Sequence, residues 1–144
     1  VPVDIDALLA SLRDEHTELG DAVSVAGHAN APYAGKPLAL KRCIGNLIQN
    51  AIQYGREANI TVEDGMDLVI RIRDRGPGIP AESLDQVFEP FFRMESSRNR
   101  DTGGTGLGLS IARDIAQAHG GSLALKNVEG GLEAQLRLPR GGVA

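Results

Sequence analysis

The sequence predicts a two-layer α/β domain in which helices pack against a mixed, largely antiparallel sheet. Three observations predict it. Apolar residues recur at helical spacing in three stretches, near the start, in the middle and late in the chain. Alternating apolar and polar residues recur in between, as strands require. The chain has 144 residues, 42% of them apolar, which is enough for one core in one domain.

Asp4 can cap a helix whose apolar positions Ile5, Leu8, Leu9 and Leu12 line one face. Residues 22–26 read as a short strand and 30–35 as a turn-rich connection. Residues 36–54 form the longest helical pattern, with Pro37 near its start and Gly55 just past its end. Residues 60–62 and 68–73 read as a strand pair about Asp64 and Gly65. A Gly/Pro loop follows at 74–80, a short helix at 82–88, and a polar, mobile segment at 93–104. Residues 107–118 are helical again, stopped by Gly120. Residues 122–126 and 132–138 alternate and form a final hairpin through Gly130 and Gly131. Residues 141–144 are a loose tail, and no internal repeat is present.

Composition excludes several classes. Net charge is −4, Trp is absent and aromatics are few, so nucleic-acid binding is disfavoured as the main role. Arg93, Arg98 and Arg100 are interrupted by Glu95 and Asp101. The single cysteine, Cys43, permits no intramolecular disulfide. His16, His28 and His119 are scattered, without metal-ligand spacing. No run reaches the roughly 20 apolar residues of a membrane span, and no signal-peptide pattern is read in these residues. The chain opens at Val1-Pro2 without Met and reads as a fragment or a processed chain.

Four features carry chemistry. Asn46, Asn50, Gln53 and Tyr54 share one face of the long helix, while Leu40, Ile44, Leu47, Ile48 and Ala51 turn toward a core. A solvated face is the plain alternative, but such faces usually carry Glu and Lys. An Asn carbonyl suits Mg²⁺, and a Tyr ring suits a base. Next, Leu68, Ile70 and Ile72 alternate with Val69, Arg71 and Arg73, so a strand delivers Asp74 to its C-terminal end, before Gly76-Pro77-Gly78-Ile79. A carboxylate there can accept a hydrogen bond from an amino group such as adenine's; a capped Pro-Gly turn is the alternative. Third, Gly103-Gly104-Thr105-Gly106-Leu107-Gly108-Leu109-Ser110 opens a helix, where free N–H groups favour phosphate. It is neither a Walker A loop nor a dinucleotide fingerprint, and a Gly-rich connector is the alternative. Fourth, all three Phe residues lie in Val87-Phe88-Glu89-Pro90-Phe91-Phe92-Arg93. They form either a small satellite core or a hinge for a lid that carries Arg toward phosphates.

In this order and spacing the features resemble the N, G1, F and G2 boxes of sensor histidine kinases. NLIQNAIQY (46–54) resembles the N box, DRGPGI (74–79) G1, FEPFFR (88–93) the F box and GTGLGL (104–109) G2. The resemblance covers residues 1–140, and Val1 to Asp4 resembles the linker that follows the dimerisation helices in these kinases. It implies the ATPase superfamily shared with gyrase, Hsp90 and MutL. The implied fold is a mixed five-stranded sheet covered on one face by helices, with ATP between the helices and a flexible lid. By position, Asn50 is the Mg²⁺ ligand, and Asn46 supports metal and phosphates. Tyr54 flanks adenine, Asp74 binds its amino group, and Gly76, Gly78 and Ile79 shape the base pocket. Gly104, Thr105, Gly106, Leu107, Gly108 and Leu109 meet the phosphates, with Phe91, Arg93 and Arg98 contributed from the lid side. Gln53 stands where many members have Lys, so full positive charge toward phosphate is missing there.

The implied activity is that of a protein-histidine kinase. The γ-phosphate of MgATP passes to a histidine on a separate dimerisation domain, for relay to a response-regulator aspartate. None of the three histidines here sits in the family's acceptor pattern, and His119 reads as a helix C-terminal residue favouring the dipole. The resemblance places the domain in the cytoplasm, monomeric alone, within a homodimeric kinase anchored in a bacterial inner membrane. The rivals are a gyrase- or MutL-type ATPase, an anti-sigma-type serine kinase, and a non-enzymatic nucleotide-binding module. The first needs a Glu where Asn46 stands, and the second generally lacks the full F box.

Overall fold

The computed structural model describes residues 1–80, 84, 86–88 and 108–140. Its elements are β1 (Pro2–Val3), α1 (Ile5–Glu18), β2 (Ala22–Gly27), β3 (Tyr33–Ala34), α2 (Pro37–Gly55), β4 (Glu57–Asp64) and β5 (Asp67–Arg73). A 3₁₀ turn (Gln86–Phe88) follows, then α3 (Gly108–Ala118), β6 (Ser122–Val128) and β7 (Gly131–Pro139). Five strands form one sheet in the order β2-β4-β5-β7-β6. Only β2 and β4 pair in parallel; the other three pairings are antiparallel. The parallel step follows from connectivity, because the chain returns from β2 to β4 through α2, and parallel neighbours need such a crossover.

Strand alternation sorts the sheet into two faces. Ala58, Ile60 and Val62 of β4, Leu68, Ile70 and Ile72 of β5, and Leu132, Ala134, Leu136 and Leu138 of β7 are buried in the core with the helices. Ile5, Leu9 and Leu12 come from α1, Leu40, Ile44, Leu47, Ile48 and Ala51 from α2, and Ala112 and Ala116 from α3. The apolar stripe foreseen on α2 is therefore its core face. Across the other face of the sheet run polar pairs: Ser24 with Asn59 at 2.8 Å, Arg71 with Glu63, and Arg137 with Asp67 at 3.2 Å. Such exposed ion pairs contribute at most about 1 kcal/mol each, so the buried face supplies most of the stability.

Asp4 caps α1 as expected, its Oδ1 accepting the Ala7 N–H at 3.0 Å. Several boundaries differ from the sequence reading. The 30–35 connection contains β3, paired with β1; two residues per strand are too few to show a period. The β4, β6 and β7 strands are longer than read at one end or both. Gly55 is the last residue of α2 and does not follow it. The left-handed cap falls to Arg56, with φ of 67° and its N–H on Ile52 O. That conformation costs a non-glycine residue about 1–2 kcal/mol. Gly55 is needed where it stands because Asp74 packs against it. Phe88 belongs to the main core and not to a satellite cluster, and the Arg113 guanidinium lies 4.7 Å above its ring centroid.

His119 follows the last residue of α3, at the helix C-terminus as read from the sequence, with its Nδ1 2.8 Å from Ile115 O. Its Nε2 also accepts the Lys36 N–H at 3.1 Å, so the ring joins the end of α3 to the start of α2. Cys43 is buried against α3, its Sγ 3.4 Å from Ala112 O, and burial pushes its thiol up to about 12. Among the described residues no helix is long and apolar enough to cross a membrane.

Candidate functional site

The amide-bearing face of α2 ends beside the loop that follows β5. Alternation along β5 sends Leu68, Ile70 and Ile72 into the core and leaves Asp74 one step beyond the strand. There Asp74 is 3% exposed, and a carboxylate so buried needs partners. Its Oδ1 accepts two backbone N–H groups, from Gly76 at 2.9 Å and from Leu132 at 3.0 Å. Its own N–H donates to Leu132 O at 2.9 Å. Both side-chain bonds end on Oδ1, so Oδ2 accepts none among the described residues. The carboxylate is thus held in orientation by one oxygen while the other is available to an incoming donor.

Close packing explains the glycines around it. A Cβ on Gly55 would lie 2.2 Å from the Asp74 Cβ, far inside contact distance. A Cβ on Gly76 would lie 2.4 Å from Tyr54 O. The end of α2 and the 74–79 loop therefore touch backbone to backbone, and Arg75 N–H bonds Gly55 O at 3.2 Å. This contact brings Tyr54, half-buried on the last turn of α2, next to Asp74 and Gly76.

Farther back on α2, Asn46 donates from Nδ2 to Gly108 O at 3.3 Å, at the first turn of α3. Asn46, Asn50, Gln53 and Tyr54 are all half-buried. Gln53 Nε2 is buried without a hydrogen-bond partner among the described residues, an amide donor short of an acceptor. Such an orphan costs stability on its own and fits a site whose missing partner is an oxygen-rich ligand. Ile79 is 7% exposed and joins the core at the far end of the loop. Asn46, Gln53, Tyr54, Asp74, Gly76 and Gly108 are therefore near one another through named contacts or a shared helix face, with Asn50 between them. Leu109 packs against the core one residue on. Phe91, Arg93, Arg98, Gly104, Thr105, Gly106 and Leu107, and the lid they would belong to, lie outside the described residues.

One residue escaped the sequence reading. Asn127, near the end of β6, accepts the Ile79 N–H at 2.9 Å and donates to Ile79 O at 2.7 Å. A lone Asn in an alternating strand carries no local signal of a partner on another loop.

A family model described as histidine kinase-, DNA gyrase B- and HSP90-like ATPase matches residues 35–142. The chain belongs to this ATPase family. It is 50% identical over 143 residues to the sensor histidine kinase GtrS of Pseudomonas aeruginosa, covering 98% of this chain and 29% of that protein. The catalytic domain of histidine kinase ThkA, in a nucleotide-free form, superposes with a TM-score of 0.82 at 25% identity, covering 97% of this chain and 95% of that one. Full-length ShkA in complex with AMPPNP superposes at 0.79 and 26% identity, over 96% of this chain and 30% of that one. The chain spans less than a third of the length of GtrS. The five-stranded mixed sheet with three helices is thus the fold of histidine kinase catalytic domains, and ATP is the ligand this ATPase family implies. Asp74 Oδ2, which takes no bond among the described residues, and Gln53 Nε2, without a partner among them, are compatible with such a ligand.

Proposed function

We propose that this chain is the nucleotide-holding half of a protein-histidine kinase. The observation that carries the reading is the buried Asp74. One of its oxygens is tied to the backbone and the other takes no bond among the described residues, at the end of a helix whose half-buried face carries Asn46, Asn50, Gln53 and Tyr54. A carboxylate oxygen fixed in this way accepts the exocyclic amino group of adenine and repels the carbonyl that guanine carries there. Tyr54 flanks the ring, and Gly76, Gly78 and Ile79 form the wall of the base pocket.

Asn50 would hold Mg²⁺ through its amide oxygen, with Asn46 supporting the metal and phosphates; the ion would supply charge neutralisation along the phosphate chain. The start of α3 would offer its backbone N–H groups to the phosphates, and the glycine-rich sequence before it would do the same by the family resemblance. By the family resemblance, Arg93 and Arg98 would reach the phosphates from a lid. Gln53 donates a neutral hydrogen bond where a lysine would place a charge, so phosphate affinity leans more on the arginines. Transfer forms a bond from an imidazole nitrogen to the γ-phosphorus as the bond to the β–γ bridging oxygen breaks, leaving ADP. The acceptor histidine belongs to a separate dimerisation domain, and the phosphoryl group then moves to an aspartate of a response regulator. The chain's part in this is positioning and charge neutralisation. The whole kinase is a homodimer anchored in the bacterial inner membrane, with this domain cytoplasmic and monomeric when separate.

The test is calorimetry of the chain with ATP, with and without Mg²⁺, followed by addition of a cognate dimerisation domain. Saturable binding and acid-labile phosphate on the acceptor histidine are expected. Absence of nucleotide binding sinks the reading; binding without transfer to a verified acceptor domain leaves a nucleotide-binding module in its place. Asn50→Ala should abolish the magnesium-dependent part of binding in a folded chain, and an unchanged magnesium response would remove Asn50 as the ligand.

A further inference from the structure

We infer that Asn127 is a positioning residue for adenine recognition, an inference that rests on the nucleotide reading of the Asp74 site. Its amide makes both of its bonds to the backbone of one residue, Ile79. Oδ1 takes the N–H and Nδ2 gives to the carbonyl, at 2.9 and 2.7 Å. This is the exchange that a neighbouring strand residue would make in an antiparallel pair. The side chain of Asn127 therefore extends the sheet by one residue and gives Ile79 the partners that a loop residue would otherwise lack.

The fit is specific. Gly78 has φ of +79°, and a Cβ there would fall 2.4 Å from Asn127 Oδ1. The glycine thus serves both the left-handed turn and the approach of the amide. The pairing also needs an acceptor and a donor side by side, which only an amide side chain supplies. Aspartate would set an acceptor against Ile79 O, and glutamine is one methylene too long for the same approach.

The consequence concerns the whole loop. At its start Asp74 is tied to Leu132 of β7, by its backbone and through Oδ1. At its end Ile79 is tied to Asn127 of β6. Both ends of the 74–79 loop are thus fastened to one hairpin, which fixes the separation between the carboxylate that selects the amino group and the side chain that packs on the base. A misplacement of the two relative to each other would weaken adenine binding without touching either group.

The experiment measures Kd for ADP and for GDP on the wild-type chain, Asn127→Ala and Asn127→Asp, with thermal unfolding of each. Wild type should prefer ADP. Both variants should bind ADP about tenfold more weakly, ~1.4 kcal/mol, and the ADP-to-GDP preference should narrow in both. A merely structural role would lower the unfolding temperature and leave that preference intact, which would overturn the inference. Should Asn127→Ala fail to fold, the near-isosteric Asn127→Asp decides; loss of folding in both would make the residue structural and overturn it as well. If the wild-type chain binds no ADP, the nucleotide reading itself fails, a result distinct from wild-type binding that Asn127→Ala leaves unchanged.

Discussion

The two ends of the central sheet are built on opposite terms. At the end where β4 turns into β5, Arg140 engages all three guanidinium nitrogens. Its Nε meets Asp64 Oδ1 at 3.0 Å, Nη1 meets Pro32 O at 2.6 Å, and Nη2 meets Ala31 O at 2.6 Å and Asp64 Oδ2 at 2.5 Å. The same guanidinium lies 5.8 Å from the Tyr33 ring centroid, and the Tyr33 hydroxyl donates to Pro139 O at 3.0 Å. Through β3, this cluster holds the first strand of the chain, β1. At the opposite end, where β5 releases Asp74, both bonds to the buried carboxylate fall on Oδ1 and none on Oδ2 among the described residues, and Gln53 Nε2 is buried without a partner among them. Native structures satisfy buried polar groups almost without exception. A saturated end reads as structural, and an end left short of partners reads as a place where a ligand completes the bonding.

The sharpest way to break that contrast is Asp74→Asn. The substitution keeps an oxygen for the Gly76 and Leu132 N–H groups and replaces the free acceptor with a donor. ADP affinity should fall about 100-fold or more, ~2.7 kcal/mol, while the unfolding temperature moves little. If binding and folding were lost together, the Asp74 end would be structural like its opposite, and the contrast would collapse.

Arg140→Ala probes the saturated end. Four hydrogen bonds and the Tyr33 ring contact disappear, and the Asp64 carboxyl, its side chain 4% exposed, is left without its cation. The expected loss is about 2–3 kcal/mol of stability, or roughly 5–10 °C in unfolding temperature. ADP affinity should stay within about twofold, since distant sites act nearly independently. A drop in affinity as large as the drop in stability would show that the two ends are coupled.

Legibility in the sequence followed the range of the interactions. The amide face of α2 was visible because Asn, Asn and Gln at helical spacing are unusual where Glu and Lys are the common solvated choice. Asp74 was visible because β5 alternates cleanly up to it. Gly55 was visible as a glycine but misread as a cap, because its real constraint is the approach of Asp74, nineteen residues on, at the end of a different element. The β1–β3 pair was too short to show a period. The parallel pairing of β2 with β4 is a property of chain connectivity and leaves no mark on either strand. Arg140 and Asn127 act on partners 76 and 48 residues away, and neither belongs to a local pattern. The assignments at Phe91, Arg93, Arg98 and 104–107 rested on motif alone, and those residues lie outside the described ones.

The smallest expected effect is in the pH dependence of the saturated end. Asp64 is held below the ordinary carboxylate value of 3.8, first by its hydrogen bond from Arg140 and further by the backbone N–H groups of Asn30 and Ala31, against an opposing push from burial. A carboxylate whose folded value is depressed stabilises the fold above its unfolded value and loses that contribution as pH falls through the folded value. The Asp64 contribution is therefore complete at neutral pH and should fade below about pH 4. Denaturant unfolding of wild type and Asp64→Asn at pH 7 and in steps below pH 4 measures it. The stability gap between the two should narrow as the pH is lowered, because protonated Asp64 and Asn are then alike in charge. A gap that stayed constant to the lowest pH at which both fold would mean that the Arg140 cluster holds by shape and neutral hydrogen bonds. The saturated end would then owe its stability to packing, and the contrast with the Asp74 end would rest on the free carboxylate alone.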